Sequence, residues 1–158
     1  GRAFYRNAGA TQRWGVEVFG SYQWEQWELQ ASMTQAQYRF TENNTSEGNT
    51  LPGIPNSQFF LQLGYTSQQN WQFQLTGEHI GSLYADTANA VQIEAFQKVR
   101  LLGGKTIALG NLELNLFAGI NNLFDVRYFD NIRLNAFGGR YYEPAPGRNA
   151  FFGLSAAF

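Results

Sequence analysis

Apolar and polar residues alternate in segments of about ten, and the alternation recurs seven times along the chain. Trp14, Val16 and Val18 alternate with Arg13, Gly15 and Glu17; Trp27, Leu29, Ala31 and Met33 with Glu28, Gln30, Ser32 and Thr34. Phe59, Leu61, Leu63 and Tyr65 then face Phe60, Gln62, Gly64 and Thr66, and Trp71, Phe73, Leu75 and Gly77 face Gln72, Gln74, Thr76 and Glu78. A fifth segment sets Val91, Ile93, Ala95, Val99 and Leu101 against Gln92, Glu94, Phe96, Lys98 and Arg100. Leu112 to Ile120 and Ala150 to Phe158 complete the series. Successive side chains of a strand point to opposite faces, so each segment has one apolar wall and one charged, amide-bearing or small wall.

Short connections near Gln23 to Gln26, Gln68 to Asn70 and Gly103 to Gly110 alternate with longer ones at Thr41 to Ser57, Leu83 to Ala90 and Asn122 to Asn149. In a meander that order puts the long loops at one end and the tight turns at the other. The pattern predicts an all-β fold: an antiparallel up-and-down meander of about seven strands, long enough to cross a bilayer at a tilt, as in outer-membrane barrels. Trp14, Tyr22, Trp27, Tyr65, Trp71 and Phe158 end the apolar stripes, where amphipathic rings favour a headgroup zone. Seven strands do not close a barrel, since bacterial single-chain barrels have even strand numbers. Residues 1–158 are therefore expected to be the C-terminal segment of a transmembrane β-barrel, with the closing strand partner and earlier strands preceding Gly1.

Composition removes several function classes. The 158 residues carry 11 Lys+Arg against 12 Asp+Glu, a net charge of −1, which offers no basic footprint for nucleic acid. With no cysteine there is no disulfide framework or thiolate site, and the single histidine, His79, argues against a histidine-based metal cluster or a Ser/His/Asp triad elsewhere in the chain. No apolar run reaches the roughly 18 residues of a membrane-spanning helix. The mean hydropathy of −0.35 is compatible with a barrel wall, which is polar at alternate positions. Glu78 and Glu94 lack a neighbouring nucleophile, so no catalytic residue, cofactor or metal is assigned.

Asn121-Asn122-Leu123-Phe124-Asp125 with Tyr128 resembles the "NLFD..Y" signature near the end of TonB-dependent receptors. Arg140-Tyr141-Tyr142-Glu143-Pro144-Ala145-Pro146-Gly147-Arg148-Asn149 resembles their "Y.PGR" element leading into the final strand, and Phe158 their terminal phenylalanine. Asn7-Ala8-Gly9 with Arg13 to Glu17 resembles the family's "N.G…GvE" strand, and Leu51-Pro52-Gly53-Ile54-Pro55 its "lPgvP" element. The resemblance implies a plugged barrel of the 22-stranded type, uptake of a scarce nutrient such as a ferric siderophore, and engagement of TonB through an N-terminal region outside this chain. It also implies that Phe152, Leu154, Ala156 and Phe158 form the signal read by the barrel-assembly machinery. The Glu143 to Gly147 stretch is similar to a branch that includes receptors for pyrroloquinoline quinone, the second reading of the ligand. A small non-transporting structural or adhesive barrel is the third.

Arg133, Arg140, Tyr141, Tyr142 and Arg148 fall in the longest loop, where guanidinium groups and ring faces suit an anionic chelate. Asp125 and Asp130 with Asn121, Asn122 and Asn131 read better as turn chemistry than as a calcium site, because the spacing does not match an EF-hand loop. The polar-wall charges Arg13, Glu17, Glu28, Glu78, Glu94, Lys98, Arg100 and Glu113 are expected to form cross-strand pairs in a wet interior. Asn43-Asn44-Thr45 spells a glycosylation acceptor by spacing alone.

Overall fold

The computed structural model describes residues 9–42 and 46–158. Asn7, Ala8 and the Asn43-Asn44-Thr45 triplet lie outside the described residues. One antiparallel sheet of seven strands dominates, formed by β1 (Thr11–Trp24), β2 (Trp27–Phe40), β3 (Ser57–Thr66), β4 (Trp71–Ile80), β7 (Phe96–Leu109), β8 (Leu112–Asn121) and β11 (Asn149–Ala157). Neighbours in sequence are neighbours in the sheet, as a meander requires. Two small hairpins decorate it: β5 (Leu83–Tyr84) with β6 (Gln92–Ile93), and β9 (Phe129–Ile132) with β10 (Tyr142–Pro144).

The register joins the apolar stripes into one wall. Leu29 lies opposite Leu63, Leu63 opposite Leu75, and Leu75 opposite Leu101. Leu101 faces Ile120, and Ile120 faces Ala150. Because paired residues share a face, every apolar stripe lies on one side of the sheet. Trp14, Val18, Leu29, Phe73 and Phe152 on that side are all exposed. A continuous apolar face this large is a contact surface for lipid or protein, not a surface that water solvates comfortably.

At the tight-turn end, Trp27 packs on Tyr65 with ring centroids 4.7 Å apart, and Lys105 sits over the Trp71 ring at 4.6 Å. This places an amphipathic aromatic row where the apolar wall ends. Strands β1, β2 and β7 have 14 residues each, longer than the alternating segments of about ten seen in the sequence.

The fifth strand departs from expectation. Val91 to Ala95 precedes it, and Gly103 to Gly110, read as a turn, is mostly strand; the hairpin turns at Gly110, with φ 63°, and Asn111. Gly103 instead lies beneath the Phe73 ring, and a Cβ on Gly104 would sit 3.0 Å from the Leu116 carbonyl oxygen. The same device recurs between the last two sheet strands. Phe117 covers Gly153, while a Cβ on Gly119 would lie 2.6 Å from the Phe151 ring and 2.9 Å from the Leu101 carbonyl oxygen. Rings over cross-strand glycines cover backbone that would otherwise be bare.

Candidate functional site

All three long connections, residues 41–56, 81–95 and 122–148, emerge at the same end of the sheet. Buried residues gather among them: Leu51, Ala85 and Ile93 make up three of the four buried apolar side chains among the described residues. Beneath these loops, on the polar face, lies a cavity of about 360 Å³. Gly53, Leu83 and Leu134 wall it from the loop side; Gln58, Ile80, Phe96 and Lys98 wall it from the strands. Drug-sized ligands occupy pockets of this order.

The cavity's chemistry is aromatic with mixed charge. Phe96 and Tyr128 stack with centroids 4.5 Å apart, Lys98 Nζ lies 5.6 Å from the Tyr128 ring, and Lys98 pairs with Glu78 at 3.2 Å. Glu94, Asp130 and Asn131 add acceptors and an amide. Lys98 and Glu78 are 30% and 35% exposed, so their bridge holds geometry more than it stabilises the fold. The remaining polar-wall charges do not all pair as expected. Glu28 instead accepts from Gln30 Nε2 at 2.6 Å, and Arg100 lies over the Phe151 ring at 5.4 Å.

Arg133, Tyr141 and Tyr142 come together on the β9–β10 hairpin, but Arg133 is already engaged. Its guanidinium reaches Glu143 Oε1 through Nε at 2.7 Å and a terminal nitrogen at 2.6 Å, while Asn131 Nδ2 donates to Oε2 at 3.0 Å. Tyr142 stacks on Phe129 at 4.5 Å and meets Tyr141 edge-on at 6.0 Å. Arg140 follows the short 3₁₀ turn Phe137–Gly139, and Arg148 leads into β11. The sequence places Glu143 within the PGR element but gives it no partner, because a carboxylate ten residues along a loop carries no pairing signal without the hairpin.

The Asn131 hydrogen bond, then the hydrogen bond and charge of Arg133, hold the Glu143 carboxyl below its ordinary value of 4.5. A depressed folded value means that the contribution is present above the ordinary value and is lost as pH falls through the lower folded value. The Arg133–Glu143 contact should therefore survive acidification through pH 4.5 and open only below it. Carboxyl ¹³C titration of Glu143 reads this directly; a midpoint at or above 4.5 contradicts it.

The NLFD and PGR elements form one staple. Asn122, buried at 5% exposure, accepts from Val126 N–H at 2.9 Å and donates through Nδ2 to Val126 O at 2.8 Å and Pro146 O at 3.5 Å. Asp125 Oδ1 accepts from Arg148 N–H at 2.7 Å, and a Cβ on Gly147 would lie 2.8 Å from that oxygen. Leu123 N–H donates to Val99 O at 2.8 Å, and Tyr128 O accepts from Ala145 N–H at 3.0 Å. Asn122 and Asp125 have φ of 50° and 56°, in the left-handed region that Asn and Asp tolerate. Asp125 thus serves the turn. Phe124 of the same motif is 69% exposed.

A two-faced antiparallel meander, with loops at one end and an aromatic row at the other, defines the wall of an outer-membrane-type β-barrel. The chain belongs to the TonB dependent receptor-like β-barrel family, whose model matches residues 1–123 and stops within the NLFD element. This is a family of outer-membrane receptors and not of enzymes. The chain is also similar to the ferric citrate transporter FecA in its unliganded form, with a TM-score of 0.82 and 22% identity over 92% of this chain. The ferric yersiniabactin uptake receptor FyuA from Yersinia pestis gives 0.76 and 18% over 95%, and the siderophore receptor PiuA from Acinetobacter baumannii gives 0.74 and 22% over 92%. The chain spans 24%, 24% and 21% of those three structures, respectively.

Proposed function

We propose that residues 1–158 are the C-terminal portion of the barrel of a TonB-dependent receptor that imports a ferric chelate, a siderophore above all, across the bacterial outer membrane. The observation that carries this reading is the cavity roofed by the long loops, where Phe96, Tyr128 and Phe129 offer ring faces and Lys98 offers a cation. The names of FecA, FyuA and PiuA support iron chelates as the ligand class. Within this reading Arg140, Tyr141, Tyr142 and Arg148 contribute to the loop surface outside the cavity, and Arg133 does so once it exchanges Glu143 for ligand. TonB and the plug act through segments of the receptor other than these strands. Phe152, Leu154 and Ala156 share the apolar face of β11, which leads to a fully exposed Phe158 and suits pairing with another sheet edge during barrel assembly.

The test is calorimetric titration of the intact receptor in detergent with ferric citrate, a ferric catecholate and the iron-free chelators. One ferric chelate should bind in the micromolar range or tighter. Tyr128→Ala should weaken it about tenfold, the equivalent of ~1.4 kcal/mol and within what an aromatic contact supplies. Binding of no ferric chelate would remove the ligand class; binding unchanged by Tyr128→Ala would remove the cavity as its site.

A further inference from the structure

Loops at the ends of strands are ordinarily the most mobile parts of a fold, each closing on itself and moving alone. The three long connections depart from that expectation because their polar groups are satisfied across loops. Asn49 Nδ2 donates to Thr87 O at 2.9 Å. Asn89 clasps Thr50 from both sides: Thr50 N–H donates to Asn89 Oδ1 at 2.7 Å, and Asn89 Nδ2 donates to Thr50 O at 2.9 Å. Gly53 N–H reaches Tyr84 O at 2.8 Å. On the far side, Asn135 Oδ1 accepts from Thr87 N–H at 2.9 Å and from Thr87 Oγ1 at 3.3 Å, while Asn135 N–H donates to Ala85 O at 2.9 Å.

The residues that make these contacts are shaped for them. Asn89 and Asn135 have φ of 55° and 52°, a conformation that Asn adopts far more readily than most side chains. Asp86 Oδ1 caps Ala90 N–H at 2.8 Å, which fixes the turn that presents Asn89. Ala85, wholly buried, lies at the centre, with Leu51 and Ile93 buried nearby. Leu134 closes the third side by packing against Gly53, where a Cβ would come within 2.8 Å of it. The middle connection is therefore a hub bonded to both of the others.

We propose that Asn49, Asn89 and Asn135 latch the three connections into a single rigid cap, and that they are positioning residues for the cavity beneath it. A displacement of the longest connection is then transmitted through Thr87 and Asn89 to residues 46–51, which Asn135 does not touch. This holds whatever ligand the cavity takes, because it rests on the loops' own hydrogen bonds.

Amide hydrogen exchange of the intact receptor, wild type against Asn135→Ala, tests the latch. The latch predicts faster exchange at residues 46–51 as well as at 85–87 and 133–137, by about tenfold or more, because protection in one cooperative unit is lost together. Asn135→Asp, which keeps the accepting oxygen, should restore most of the protection at 46–51. Acceleration confined to 85–87 and 133–137 overturns the proposal, since each loop would then open alone. Asn89→Asp covers the case in which Asn135→Ala does not fold. It keeps Oδ1 for Thr50 N–H but removes the Nδ2 donor to Thr50 O, and it should speed exchange at 133–137; no change there also overturns the latch.

Discussion

Leu63→Arg should destabilise the folded receptor by about 2–4 kcal/mol, while Gln62→Arg, one position away, should cost less than about 1 kcal/mol. The asymmetry follows from the register. Leu63 lies between Leu29 and Leu75 in the apolar wall, so a guanidinium there loses water and finds hydrocarbon on both flanks. Gln62 lies between Gln30 and Thr76 on the opposite face, among amide and hydroxyl groups that accommodate a charge. Urea titration of the intact receptor refolded into lipid vesicles, read by the electrophoretic mobility of the folded form, measures both. Equal costs would mean that the apolar wall does not face lipid. The pair separates a membrane wall from a merely two-faced sheet, because each substitution introduces the same side chain into the same strand.

Asn122→Ala should cost about 2–4 kcal/mol in the same assay. Three polar groups lose a partner together: Val126 N–H, Val126 O and Pro146 O. A stranded buried group costs about 1–3 kcal/mol; Val126 is half-buried and Pro146 exposed, so water meets part of the loss and keeps the sum below full additivity. Alanine must also adopt the φ of 50° that Asn122 holds, a further cost of about 1 kcal/mol. Phe124→Ala, at a 69% exposed position of the same motif, should cost well under about 1 kcal/mol. A similar loss at both positions would show that the motif is held by its rings and not by the asparagine staple.

The sheet was legible in the sequence because period-2 alternation is a direct consequence of strand geometry, and Trp27 to Met33 or Leu112 to Ile120 admits no other regular element. The fifth strand was misplaced for a physical reason. Gly103 and Gly104 carry the composition of a turn, yet there they admit a neighbouring ring and carbonyl, a fact belonging to the strands on either side. Val91 and Ile93 alternate like strand residues but serve the loop core, where Ile93 is 6% exposed. Pairings were the least legible. That Lys98 meets Glu78, or that Glu143 occupies Arg133, depends on register and hairpin position, which composition does not carry. Asn49, Asn89 and Asn135 read as ordinary turn residues, because a latch and a turn draw on the same side-chain chemistry.

The reciprocal rings and glycines of the last hairpin act as a ruler for the terminal strand. A slip of one residue would exchange the two faces, but a slip of two would leave them unchanged, so hydrophobicity alone does not forbid it. In the observed alignment Phe117 faces Gly153 and Gly119 faces Phe151. Shifted two residues one way, Phe117 would confront Phe151, with two rings contending for one site; shifted the other way, Gly119 would confront Gly153 and leave the backbone bare. Large and small must alternate across the seam, so only one alignment fills it. The last strand of the sheet thus carries its own check on register, readable by sterics alone.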